Sequence, residues 1–228
     1  MRVFIVECLN PMDLLQDRSE AAALEGVCRL LGHEVAPVSQ VQSPRQLSET
    51  CKFIASIDER HDARDESDLP LCVHIAAHGN SRGLGVGPKT VTWDKLADSI
   101  LPLGRLHHYS GPLIVVISAC DAGQQSLTSE LAQRRKKASQ LRPPAYVFVT
   151  CDARLAWTAS VAAWTIFYHL IQAANLDRPE SVREVLTTVR ASGGAVLRYH
   201  RWDDKKKAYL KYEPKAVGVP AASSPSMP

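Results

Sequence analysis

The chain has 228 residues, of which 45% are hydrophobic and 22% charged, and its net charge is +3. That suits one α/β domain able to bury a core without metals or disulfides. The basic excess is local, in Arg134–Lys137 and Lys205–Lys207; two such short clusters read as solvated loops or helix ends, so no nucleic-acid partner is expected.

None of the six cysteines (Cys8, Cys28, Cys51, Cys72, Cys120 and Cys151) forms a C-x-x-C pair, so neither a metal site nor a cofactor is expected. The stretch Met1–Glu7 is too short for a signal h-region and meets an acid at once. No apolar run is long enough to cross a bilayer. The expectation is therefore a cytoplasmic chain with free thiols and no membrane insertion.

Arg2–Cys8 is a short, β-branched apolar run that predicts a buried strand, and Asp13–Leu31 has helical apolar spacing that Gly32 ends. His33–Val41 reads as a strand, and Ser43 caps a helix running to about Ile57. Asp58–Pro70 is almost wholly polar and reads as a surface loop, and Leu71–Ala77 as a strand ending at His78-Gly79. The glycines of Gly79–Trp93 predict a loop or hairpin, after which Thr92 caps a helix to about Leu103. Leu113–Ser118 is the strongest strand signal and ends at Ala119-Cys120. Ser126–Ser139 reads as helix, Tyr146–Thr150 as strand, and Leu155–Ala174 and Glu180–Ala191 as long helices. Ala195–Trp202 and Ala208–Tyr212 suggest a hairpin, which puts the domain at 1–213, with a disordered tail at 214–228. The alternation predicts an α/β fold with a mostly parallel central sheet and helices on both faces.

In such a sheet, sites form beyond the carboxyl ends of the strands. One strand delivers His78-Gly79 and another delivers Cys120-Asp121-Ala122-Gly123. If the two strands are neighbours, an imidazole stands beside a thiol and can take its proton, which is the minimum kit for thiolate chemistry. Backbone N–H groups at Gly79 and Cys120 can point at a developing oxyanion.

Ala76-Ala77-His78-Gly79 after one strand, with Ile117-Ser118-Ala119-Cys120-Asp121-Ala122-Gly123 after another, resembles the paired signature of caspase-like peptidases. These include caspases, metacaspases, legumain, separase and bacterial CHAT domains, and the last are closest in pattern. Gly83–Leu96 resembles the hairpin and helix that follow the His-Gly of CHAT domains, and Val147–Asp152 with Trp164–Leu170 resembles the strand and helix after their Cys. The likeness covers about residues 71 to 192; the part before residue 70 matches only as generic strand–helix pairs.

The resemblance implies a caspase-like fold and a cysteine endopeptidase acting on polypeptides, with a regulatory partner encoded separately. His78 would be general base and acid, Cys120 the nucleophile, and the amides of Gly79 and Cys120 the oxyanion hole. Metacaspases place an acid two residues before the Cys to bind a basic P1 side chain. Here Ser118 stands there, which leaves Asp121 and Asp152 as substrate-binding candidates and an expected preference for Arg or Lys at P1. Gln133–Pro144 corresponds to the interval that carries the caspase processing linker, so Arg134–Lys137 are candidate self-cleavage sites. The rivals are a silent caspase-like binding or regulatory module and a flavodoxin-like regulatory domain; the loop after the first strand lacks the phosphate-binding run of the latter. His74, Cys8, Cys28, Cys51 and Cys72 read as core, Cys151 as packing and His107-His108 as loop.

Overall fold

Short runs of β-branched and aliphatic residues bounded by polar turns favour buried strands, and four of them build the centre of this molecule. The structure, a computed structural model, describes residues 1–16, 18–57, 69–106, 109–124, 126–193 and 195–215. The His107-His108 pair, positions 58–68 of the polar loop and positions 216–228 of the tail lie outside the described residues. In chain order the elements are β1 (Arg2–Cys8), α1 (Pro11–Leu15), α2 (Glu20–Leu30), β2 (Glu34–Val35), β3 (Ser39–Gln40), α3 (Pro44–Ala55), β4 (Leu71–Ala77), β5 (Gly79–Asn80), β6 (Gly83–Val86) and β7 (Lys89–Thr92). They continue with α4 (Trp93–Ile100), β8 (Leu113–Ser118), α5 (Leu127–Lys137), β9 (Tyr146–Thr150), α6 (Trp157–Ile171), α7 (Pro179–Ala191), β10 (Leu197–Asp203) and β11 (Ala208–Tyr212).

The central sheet runs β11-β10-β9-β8-β4-β1-β2, with β3 also pairing β1. Pairings among β1, β2, β3, β4, β8 and β9 are parallel, whereas β10 and β11 form an antiparallel hairpin on one edge. The fold is thus α/β with a mixed, mostly parallel sheet flanked by helices. Alternation along the strands divides the core in two. Leu113, Val115 and Ile117 of β8 pack with α3, α4 and α5 on one face. Ile114 and Val116 pack with α2, α6 and α7 on the other. Beside the sheet, β5, β6 and β7 form a separate three-stranded antiparallel unit.

Two expectations change here. The helix expected over Asp13–Leu31 is two helices. Asn10 caps the first through its side chain, which accepts from the N–H groups of Met12 and Asp13, and Pro11 follows at the first helical position. Ser19 caps the second by accepting from the N–H of Ala22 at 2.9 Å. The strand expected over His33–Val41 is two two-residue strands, β2 and β3. In addition, α5 runs through Lys137, so Arg134–Lys137 are helical, with Arg134 paired to Asp98 and Glu130. A backbone held in helix is a poor protease substrate, which weakens the self-cleavage expectation.

Phe148 sits at the centre of the second core, 4.8 Å from the Phe167 ring and 5.6 Å from that of Tyr199. Phe148→Ala should lower stability by about 3–5 kcal/mol in urea unfolding. Leu30→Ala, at a side chain 90% exposed, should stay within about 0.5 kcal/mol of the parent.

Candidate active site

β4 and β8 are adjacent and parallel, with Ala76 opposite Ser118. His78 and Cys120 each lie two residues beyond that pair, so the register brings them to the same rim. Both line one cleft of about 50 Å3. Its walls include Ala77, Leu155 and Trp157, and its buried polar lining residues are Glu20, Ser118 and Ser160.

No hydrogen bond joins His78 to Cys120; each is held by another group. The His78 ring is about half exposed (48%), and its Nε2 lies 2.8 Å from Oδ2 of Asp13, which is 5% exposed. The same Asp13 oxygen accepts the N–H of Asn10 at 3.2 Å. An acceptor on this side places the imidazole proton on Nε2 and leaves the Nδ1 lone pair free as a base. Trp157 meets the His78 ring edge-on at 5.6 Å. The Sγ of Cys120 accepts the N–H of Leu155 at 3.2 Å.

Gly79 is required by close approach. A Cβ there would lie 2.2 Å from the carbonyl oxygen of Cys120 and 3.0 Å from its nitrogen. The backbones of the two residues offered as oxyanion donors therefore touch.

The segment around Cys120 is fastened to β9. The Thr150 hydroxyl accepts the N–H of Ala119 at 3.0 Å and donates to the Ala119 carbonyl. Asp121 adopts a left-handed φ of 61°, uncommon outside glycine, and its N–H donates to the Asp152 carbonyl at 3.0 Å. The Asp152 carboxylate accepts the N–H of Val196 at 2.8 Å.

Asp121 and Asp152, the acids expected to meet substrate, thus shape the loop and do not line the cleft. Two acids that the sequence reading missed do the facing: Asp13 on His78 and Glu20 in the cleft lining. Glu20 Oε1 is 2.9 Å from Nε2 of His74, whose Nδ1 is 3.0 Å from the Tyr168 hydroxyl. Ser118, which stands where metacaspases carry their acid, bonds Ser160 and the Trp164 indole N–H, each at 2.8 Å.

Burial pushes the thiols of Cys8, Cys28, Cys51 and Cys72 up to about 12. Burial also raises Cys151, whose Sγ lies 2.5 Å from where a Cβ on Gly123 would stand. Among the described residues no group of three His, Cys, Asp or Glu side chains is arranged to hold a metal ion. No family model and no curated protein matches this chain.

The thiol environments predict selective alkylation. At pH 7.5 iodoacetamide should modify Cys120 first. Cys8, Cys28, Cys51 and Cys72, held protonated and out of solvent, should react only after denaturation, as read by peptide mass mapping.

Proposed function

We propose that this chain is a caspase-like cysteine endopeptidase that cuts polypeptides after a basic residue. The observation that carries the reading is the shared rim: an imidazole with a free Nδ1 and a partly buried thiol stand at the carboxyl ends of adjacent parallel strands and line one cleft.

The chemistry follows from the groups present. His78 takes the Cys120 proton on Nδ1, and Sγ attacks the scissile carbonyl carbon. The N–H groups of Gly79 and Cys120 receive the oxyanion. The imidazolium returns its proton to the leaving amine, and the thioester remains on Cys120. A water deprotonated by His78 then releases the acid and restores the thiol. Asp13 acts through His78 by holding the ring in place, as a positioning residue. The Leu155 N–H holds the Cys120 Sγ in place.

Glu20 replaces Asp121 and Asp152 as the acid for a cationic P1 side chain. It lines the cleft together with Ser118 and Ser160, and a carboxylate there favours Arg or Lys and penalises Asp. An intact pair with a free base nitrogen supports an enzyme over a silent binding module.

The test is hydrolysis of fluorogenic peptides that differ only at P1. Cys120→Ala and His78→Ala should each abolish turnover while the thermal melt stays unchanged, because members of a catalytic unit are lost together. Wild-type turnover by Cys120→Ala would overturn the mechanism. Asp13→Ala should lower kcat at least tenfold. Glu20→Gln should cut kcat/KM for Arg and Lys substrates by about thirtyfold or more while sparing a neutral P1 substrate. An equal loss on both would make Glu20 a structural residue.

A further inference from the structure

The pole opposite the cleft carries a second concavity. It lies at the amino ends of β8 and β9, has a volume of about 840 Å3, and is lined by Arg135, Arg142, Tyr146, Arg201, Trp202 and Asp204 among others. Antiparallel β10 brings Arg201 opposite Tyr146. Hydrogen bonds from the Trp202 N–H to the Ala145 carbonyl (3.0 Å) and from the Tyr209 hydroxyl to the Pro144 carbonyl (3.0 Å) clamp the β10–β11 hairpin there.

This arrangement joins two basic clusters that are distant in sequence. Arg135 comes from α5, with Lys136 and Lys137 following it. Asp204 comes from the hairpin turn, with Lys205 and Lys206 following it, and both Arg135 and Asp204 line the cavity. The acids present are already engaged: Asp177 with Arg201, and Asp204 with Lys207 and the Trp202 indole. Among the described residues, Arg135, Lys136, Lys137, Lys205 and Lys206 form no ion pair. The Nε of Arg135 is buried with no hydrogen-bond partner, and a buried donor left unpaired is costly. Arg135, Arg142 and Arg201 line the cavity itself, and like charges gathered there favour an anion.

The cavity also presents flat groups. The Arg201 guanidinium lies 5.9 Å from the centroid of the Tyr146 ring. The Trp202 ring is fixed by its N–H bond to Asp204 at 3.0 Å and by edge contact with Tyr209 at 5.1 Å.

We propose that this pole binds single-stranded nucleic acid, with a base entering the Trp202–Arg201 cavity and the phosphates crossing the lysines of α5 and of the hairpin turn. The inference stands apart from the peptidase reading. Stacking surfaces combined with a basic track are what single-strand sites use. A duplex keeps its bases stacked and has none to offer the cavity. An acidic peptide would satisfy the lysines and leave the planar groups unused. The two clusters read singly as solvated charge; the fold brings Arg135 and Asp204, the residues that lead into them, onto one cavity with planar neighbours.

The test is fluorescence anisotropy on the full chain carrying Cys120→Ala, with a fluorescein-labelled oligothymidylate of about twenty nucleotides, long enough to exceed one single-strand site. Binding should weaken with salt. The triple variant Arg135→Ala, Lys136→Ala, Lys137→Ala should lower affinity at least tenfold and reduce the log–log salt slope by about two, at roughly 0.7 per lost phosphate contact. Trp202→Ala should lower affinity at least fivefold. Because that variant removes a packed ring, the exposed pair Lys136→Glu, Lys206→Glu gives a second reading, and each variant's melting curve is compared with the parent's. No binding at low salt would overturn the proposal, as would binding that these variants leave unchanged. Equal affinity for a duplex of the same sequence, or equal competition by a poly-glutamate peptide, would reduce the site to a cationic surface and also overturn it.

Discussion

Parallel pairing of β4 with β8 sets residues 42 apart side by side, since Ala76 faces Ser118 and 118 − 76 = 42. His78 and Cys120 have the same separation, 120 − 78 = 42, so their meeting is a property of the register rather than of any contact between them. A slip of one residue would turn every β8 side chain to the other face of the sheet. It would send Leu113, Val115 and Ile117 away from α3, α4 and α5, and Ser118 away from Trp164. The hydrophobic alternation that secures the core therefore also aligns the cleft.

Beyond the strand ends, register no longer holds the chain, and side-chain-to-backbone bonds take over. Thr150 grips both backbone groups of Ala119, and the Asp152 carbonyl takes the N–H of a left-handed Asp121. Asp152 in turn ties that loop to Val196, just before β10. Asp13 does for His78 what Thr150 does near Cys120. Strain at Asp121 persists because its neighbours on both sides are fastened. His78 and Cys120 are thus held on one rim by separate anchors.

The four inner strands were legible because each is a compact apolar run bounded by turn residues; β4, β8 and β9 fall where the pattern places them. The α1–α2 break was written in Asn10-Pro11 and Ser19, both capping signals, but the apolar spacing of Leu14, Leu15, Ala22 and Leu24 ran across it and hid it. The cleft acids were hidden for a different reason. Asp13 meets His78 across 65 residues and Glu20 meets His74 across 54. No local pattern encodes a partner that distant. Asp121 and Asp152 looked suitable because they follow Cys120 and β9 in sequence, yet residues next to a nucleophile in sequence are often those that shape its turn. A short polar residue such as Asp121 suits a left-handed position, and Asp152 reaches the nearest unpaired N–H.

The antiparallel edge gives the molecule its second pole. Had β10 been parallel to β9, its carboxyl end would have joined the rim that holds Cys120, and Arg201 and Trp202 with it. Running backwards, β10 begins beside that rim, where Val196 meets Asp152, and ends at the amino end of β9, where Arg201 faces Tyr146. Its turn then carries Lys205 and Lys206 clear of the acids that shape the cleft and toward the end of α5. A cleft lined by Glu20 and a cavity lined by Arg135, Arg142 and Arg201 thus occupy opposite ends of the same strands. Separation by the length of a strand, about 17 Å for five residues, exceeds the Debye length of about 8 Å at physiological salt. Solvent-exposed charge at one pole is therefore largely screened from exposed charge at the other, and the packed strands β9 and β10 form the connection between them.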